Sequence, residues 1–138
     1  MCGRYVIVSS VKTIAEKFQV QANINFTPNF NLAAGQRAPI ITTENPQELS
    51  LSHFGFTPFW AKKRTYVINA RAEGDHNKEN DPNYTGSKGI IKKPFFRAAI
   101  RNKRCLIPAD AFIEGSTKEK LDKPYLVYME DGDRPFAF

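Results

Sequence analysis

The spacing of apolar and polar positions changes several times along this chain, and each change marks an element. Arg4 to Val8 (RYVIV) is β-branched and aromatic, which suits a pleated, half-buried surface and predicts a strand close to the first residue. Ser10 stands at an N-cap position, and Val11, Ile14, Ala15 and Phe18 recur at i, i+3, i+4 and i+7, the apolar face of an amphipathic helix. Residues 21–37, rich in Asn, Pro and Gly, read as a long loop. Pro39 to Thr42 and Leu49 to Phe56 predict strands. The second alternates Leu49, Leu51 and His53 against Ser50, Ser52 and Phe54, and Asn45-Pro46 turns the chain between the two.

Tyr66-Val67-Ile68 predicts another strand, ending at Asn69, and residues 74–93 form a polar insertion without a period, read as a surface loop. Pro94 suits the first position of a helix that sets Phe95/Ala99 and Phe96/Ile100 on an apolar side and Arg97, Arg101 and Arg104 on a basic one. Cys105 to Ile107 predicts a buried strand and Ala111 to Glu114 another, while Tyr125 to Met129 and Pro135 to Phe138 flank an Asp131-Gly132 turn as a final hairpin. Short strands outnumber helices and no βαβ rhythm appears. The pattern predicts an α+β fold with a mostly antiparallel sheet, in one domain over residues 1–138. Ending on an apolar stretch, the sequence is expected to stop inside its fold.

Composition narrows the function. A chain of 138 residues is long enough for a hydrophobic core, and 41% apolar with 25% charged residues is ordinary for a soluble globular protein. No apolar run approaches the roughly 18 residues that span a bilayer, and no signal-peptide core follows Met1, so the expected location is the cytoplasm, with no membrane partner. Twenty Lys and Arg against fourteen Asp and Glu give a formal charge of +6, which draws a domain to polyanions, nucleic acid first; solubility alone is the plainer alternative. Two cysteines make no disulfide framework. Cys2, Cys105, His53 and His76 contain neither a C-x-x-C nor an H-x₃-H pair, so no metal is expected, and no glycine-rich phosphate loop calls for a nucleotide cofactor.

The opening Met1-Cys2-Gly3-Arg4 carries chemistry of its own. Removing Met1 would expose a 1,2-aminothiol. Its α-amine, with a pKa of about 7.7–8.0, is partly neutral at physiological pH, and its thiol is activated by a neighbouring cation such as Arg4. An aldehyde meeting this pair forms an imine that the thiol closes to a thiazolidine. By position alone Cys2 is equally a small apolar residue beside a strand. Two other readings of the residues stand beside this one. An amidohydrolase with an N-terminal nucleophile also begins Met-Cys-Gly, and a non-catalytic nucleic-acid module would use the basic surface only.

Downstream strings add to the opening: Asn31-Leu32-Ala33-Ala34-Gly35-Gln36, Phe54-Gly55-Phe56-Thr57-Pro58-Phe59-Trp60, Asn69-Ala70-Arg71-Ala72-Glu73, and Arg104 through Glu114 (RCLIPADAFIE). Together, and in this order, they resemble the SRAP family, the SOS response-associated peptidase-like domain. The resemblance implies a barrel-like antiparallel fold with a few flanking helices and a monomer without cofactor. It implies a protein that senses abasic sites in single-stranded DNA and crosslinks to them through the N-terminal cysteine; the older peptidase label reflects autocatalytic removal of N-terminal residues, and a lyase activity is a further possibility. Carried over by motif, Cys2 is the nucleophile, Asn69 positions the sugar, and Glu114 moves protons. Arg4 and Arg71 hold phosphates, Trp60 faces the DNA, and Arg97 joins them from the basic helix side. Without the resemblance, Trp60 reads as core, Arg97 as a solvated helix position, Glu114 as an exposed strand residue, His53 as structural and His76 as solvated. The chain departs from the family at Phe54 and Gly115, where tryptophan is common, and in the length of 74–93. No histidine follows His76, so the family's catalytic histidine is expected beyond Phe138.

Overall fold

The computed structural model describes residues 3–73, 77–79, 81–85, 89–116 and 120–138, with the backbone alone for Lys120 and Leu121; Cys2 and His76 lie outside the described residues. Its elements run β1 (Arg4–Ile7), α1 (Val11–Phe18), β2 (Gln21–Ala22), β3 (Asn29–Ala33), β4 (Arg37–Thr42) and β5 (Glu48–His53). A 3-10 turn (Gly89–Lys92) is followed by α2 (Arg97–Asn102), β6 (Cys105–Leu106), β7 (Pro108–Ala109), β8 (Ala111–Ser116), β9 (Lys120–Val127) and β10 (Phe136–Ala137). Among the described residues the strands form two four-stranded sheets, β3-β1-β8-β9 and β2-β5-β4-β6, and a two-stranded one, β10-β7. Every strand pair but β2–β5 is antiparallel, so the fold is α+β and mostly antiparallel, as the pattern predicts.

Burial follows the apolar spacing. Ile7 on β1, Ile14 on α1, Leu32 on β3 and Leu49 on β5 are fully buried in one cluster that joins the two large sheets through the helix. Ser10 Oγ accepts the Thr13 N–H at 3.0 Å and caps α1, whose other end closes on Gln19 in the left-handed region, its N–H turned back onto the last carbonyls. One buried carboxylate secures the turn between β1 and α1. Asp110, between β7 and β8, accepts the N–H groups of Val8 (2.6 Å) and Ser9 (2.8 Å) and the Ser9 hydroxyl (2.5 Å).

Several expectations need correction, each for a tertiary reason. Residues 21–37 are not one loop. β3 lies within them because it pairs with β1 (Arg4↔Ala33, Tyr5↔Leu32), and β2 pairs with β5 (Gln21↔Glu48); neighbouring strands outweigh the Asn- and Pro-rich composition. Tyr66–Ile68 makes only an isolated bridge, Val67 to Phe56. The insertion is not wholly a solvated loop: Asn77 is buried, and Ile90, also buried, donates its N–H to the Ala72 carbonyl at 3.1 Å. Regular helix begins at Arg97, not beside Pro94, because the Lys93 carbonyl takes the N–H groups of both Phe96 and Arg97 in an irregular first turn. Cys105 and Leu106 are exposed, since β6 is the edge strand of its sheet. The last segment turns at Gly132 (φ +73°) but passes over its predicted partner: β10 pairs with β7 (Phe136↔Ala109), and Phe138 exchanges backbone hydrogen bonds with Ile107.

Candidate functional site

The beginning of β1, at Gly3, lies in a notch between two segments. β1 runs antiparallel to β8 with Arg4 opposite Ile113, so one step further along the ladder Gly3 comes level with Glu114. On its other side Gly3 touches Ile68: a Cβ built on the glycine would stand 3.3 Å from Ile68 Cδ1. Asn69 is the next residue. Gly3 therefore lies between Ile68, which precedes the Asn69 string, and the level of Glu114 on β8.

The segment 66–69 is held as a strap across this notch. Gly35 (φ +86°) and Gly55 (φ +105°) both adopt the left-handed backbone that favours glycine, and both press on Tyr66. A Cβ at Gly55 would lie 2.8 Å from Tyr66 Cβ and 3.0 Å from its Cα; one at Gly35 would lie 3.0 Å from the Tyr66 ring. Val67 exchanges two hydrogen bonds with Phe56, at 2.7 and 3.0 Å. His53 braces the same corner, with Nδ1 2.9 Å from the Gly35 carbonyl and Nε2 3.3 Å from an Arg64 nitrogen. A guanidinium only donates, so Nε2 is the acceptor in this contact and Nδ1 faces the carbonyl.

The other predicted residues divide between engaged and exposed positions. Arg4 donates from Nη1 to Asn31 Oδ1 at 3.0 Å, which fixes its side chain along β3. Arg71 grips Glu73 Oε1 through Nε (3.1 Å) and Nη2 (2.9 Å) and reaches the Asn77 carbonyl at 2.9 Å. The backbone hydrogen bond at Glu73, and then Arg71, hold that carboxyl below the usual carboxylate range. Glu114 is half-buried on β8, opposite Tyr125 of β9. Trp60 is 55% exposed and meets Phe95 edge-on at 5.8 Å, so it sits on the surface of an aromatic cluster with Phe56 and Phe96. Arg97 is exposed on the first turn of α2 and follows Phe96 of that cluster in the chain.

Three features escaped the sequence reading. Phe59, 93% exposed, doubles the aromatic surface beside Trp60; its place in the same Pro-turned string was the available signal. Asp110 lies inside the Glu114 string, but nothing local marks it as the acceptor for a turn a hundred residues away. The strap also roofs a cavity of 660 Å³, whose walls include Asn69, Tyr5 and Cys105. Burial pushes the Cys105 thiol above its ordinary pKa, although the residue is open to the cavity.

Among the described residues no cluster of three metal-ligating side chains occurs, and no helix is long and apolar enough to cross a membrane.

Comparison with known proteins identifies relatives of the chain. Three Bacillus subtilis proteins described as abasic site processing proteins share the sequence. YoqW and YoaM are each 32% identical over 121 residues, 83% of this chain and 47% of the relative, and YobE is 31% identical over the same length. The chain thus spans about half the length of these relatives. Two crystal structures share the fold at 23% identity over 99% of the chain. One is a protein from Bacteroides thetaiotaomicron (TM-score 0.71, 57% of that chain covered), the other a phage-related protein of Bordetella bronchiseptica (TM-score 0.61, 58% covered). The model of one family, SOS response associated peptidase, matches residues 1–138 from end to end. Matched by that model over its whole length, this chain belongs to the SRAP family.

Proposed function

We propose that this protein captures abasic sites in single-stranded DNA as a covalent thiazolidine on Cys2, once Met1 has been removed. The observation that carries the reading is the position of Gly3, in contact with Ile68 and level with Glu114, which sets the beginning of β1 beside both segments. The B. subtilis relatives named as abasic site processing proteins support the same substrate.

The chemistry runs in two steps, one condensation and one ring-closing addition. The neutral α-amine of Cys2 adds to the C1′ aldehyde of the ring-opened deoxyribose, giving a carbinolamine. Glu114, as the acid, protonates the departing hydroxyl, and one water leaves as the imine forms. The thiol then adds to the imine carbon, its proton passing by way of the carboxylate to the nitrogen, and the five-membered ring closes. Asn69 donates to and accepts from the sugar without adding charge. Arg4 and Arg71 attract the flanking phosphates, Arg97 extends the positive surface, and Trp60 offers a face to a neighbouring base. An abasic nucleotide has no base to unstack, which lowers the cost of drawing it from the strand. The α-amine is free only when Met1 has gone, so processing of the chain's own N-terminus belongs to the same activity. The protein acts as a monomer in the cytoplasm, on the nucleoid when bound to DNA.

The test is a denaturing gel of Met1-processed protein with an oligonucleotide carrying one abasic site. A heat-stable shifted band is expected, absent for Cys2→Ala and formed about a hundredfold more slowly by Glu114→Gln. A band that survives Cys2→Ala overturns the mechanism.

A further inference from the structure

Positive side chains gather where β4, β5 and the start of the strap meet. Arg37 opens β4, His53 closes β5, and the two are cross-strand partners. Residues directly opposite one another on antiparallel strands share a face of the sheet, with Cβ atoms about 5 Å apart. Arg64, two residues before Tyr66, comes to the same ring from another segment, its Nη1 3.3 Å from His53 Nε2. The ring is held. Its Nδ1 lies 2.9 Å from the Gly35 carbonyl, and the Tyr66 ring flanks it at 6.3 Å. The loop that carries this carbonyl is tied to the end of β5 by two hydrogen bonds, Gly35 N–H to the Phe54 carbonyl (2.8 Å) and Phe54 N–H to the Gln36 carbonyl (2.9 Å). Arg37, His53 and Arg64 are all exposed.

Among the described residues neither Arg37 nor Arg64 has a carboxylate partner, whereas Lys12, Lys17, Arg71 and Lys103 each have one. The sequence explains the contrast. No Asp or Glu occurs between Glu16 and Glu44 or between Glu48 and Glu73, the two stretches that supply these side chains, and the second also carries Lys62 and Lys63. Two guanidinium groups set beside one ring repel each other, and an anion between them relieves the repulsion.

We propose that Arg37 and Arg64 form a phosphate clamp, with His53 as the residue that positions Arg64, and that the clamp takes a backbone phosphate of the DNA strand beside the lesion. A guanidinium has five N–H donors in a fixed fork. His53 Nε2 accepts one of them and so aims the fork, leaving the others for phosphate oxygens, the geometry that arginine suits best. A strand fits the surroundings better than a free phosphate. Lys62 and Lys63 continue the positive surface, and the same segment exposes Phe59 and Trp60, the mixture of cations and aromatic faces that holds single strands. Three residues of chain, at most about 11 Å, separate Tyr66 from Asn69, so the phosphate belongs to a nucleotide close to the abasic one. The inference rests on the proposed function for that placement, since Asn69 marks where the lesion sits.

The test uses oligonucleotides in which tetrahydrofuran replaces the abasic sugar, so that they bind without crosslinking, and in which one phosphate at a time is made an uncharged methylphosphonate. Arg64→Gln and Arg37→Gln should each weaken binding of the fully charged strand about fivefold, the scale of an exposed ion pair. Each should also become indifferent to one methylphosphonate that weakens the wild type by a similar factor. His53→Phe should lose as much as Arg64→Gln and add nothing to it in the double variant, whereas His53→Gln, which keeps an acceptor, should retain most of the affinity. The two arginine variants replace exposed side chains, and a thermal melt confirms that each is folded. Unchanged binding by Arg37→Gln or Arg64→Gln, or the same linkage sensitivity in wild type and variants, overturns the clamp. Additive losses from His53→Phe and Arg64→Gln overturn the positioning role. Competition by inorganic phosphate at matched ionic strength, with no single linkage sensed, assigns the site to a free phosphate and overturns the strand. The crosslinking gel separates this inference from the reading it rests on. A Cys2 adduct with no linkage read through Arg64 refutes the clamp alone, and a linkage read through Arg64 with no Cys2 adduct refutes the crosslink alone.

Discussion

Two carboxylates four residues apart in one string have opposite fates, and neither fate follows from residue type. Asp110 is buried with three donors on its oxygens, so it is structural; Glu114 is half-buried on β8 at the level of Gly3, the position from which it is proposed to move protons. Asp110→Ala would strand two backbone N–H groups and a hydroxyl in a partly buried turn. A loss of about 3 kcal/mol is expected, read as a lower urea midpoint with unchanged slope. The string itself was legible in the sequence. Which acid is structural was not, because the Val8 and Ser9 donors are brought to Asp110 only by the folded turn.

At the scale of elements, the strap 66–69 positions the site although it is barely an element. It reads as a strand from its β-branched residues, yet it is held by one bridge, by two glycines pressed on Tyr66 and by Ile68 against Gly3. Gly55→Ala combines a left-handed backbone with a Cβ 2.8 Å from Tyr66, so the strap must shift. We expect adduct formation to slow about tenfold in a protein that still folds, checked by gel time courses beside a thermal melt. Gly115→Ala, on β8 without a left-handed backbone, is the comparison expected to leave the strap in place. The Asn-Gly-rich composition hid β3 for the converse reason: a strand whose partner is β1 needs no strong pattern of its own.

At the scale of the whole molecule, the proposed binding of single strands by a chain of charge +6 would depend on salt. If Arg4, Arg71 and Arg97 each neutralise a phosphate, log K against log salt should fall with a slope of about −2, measured by anisotropy on an unreactive oligonucleotide. Replacing Arg97 by Ala should reduce that slope by about 0.7, whereas an unchanged slope would remove it from the interface. The sequence by itself determined the α+β class, the excess of positive charge and the resemblance to the family, because these depend on residue identity and short-range spacing. Only the tertiary structure decided that Gly3 meets Ile68 and comes level with Glu114, that β10 pairs with β7, and that Tyr5 ends under a cavity with its hydroxyl unpaired. The physical reason is the same in each case. Hydrogen-bond register between segments far apart in sequence, and the space left between packed layers, are properties of partners, and no local pattern on one strand specifies the strand that will lie beside it.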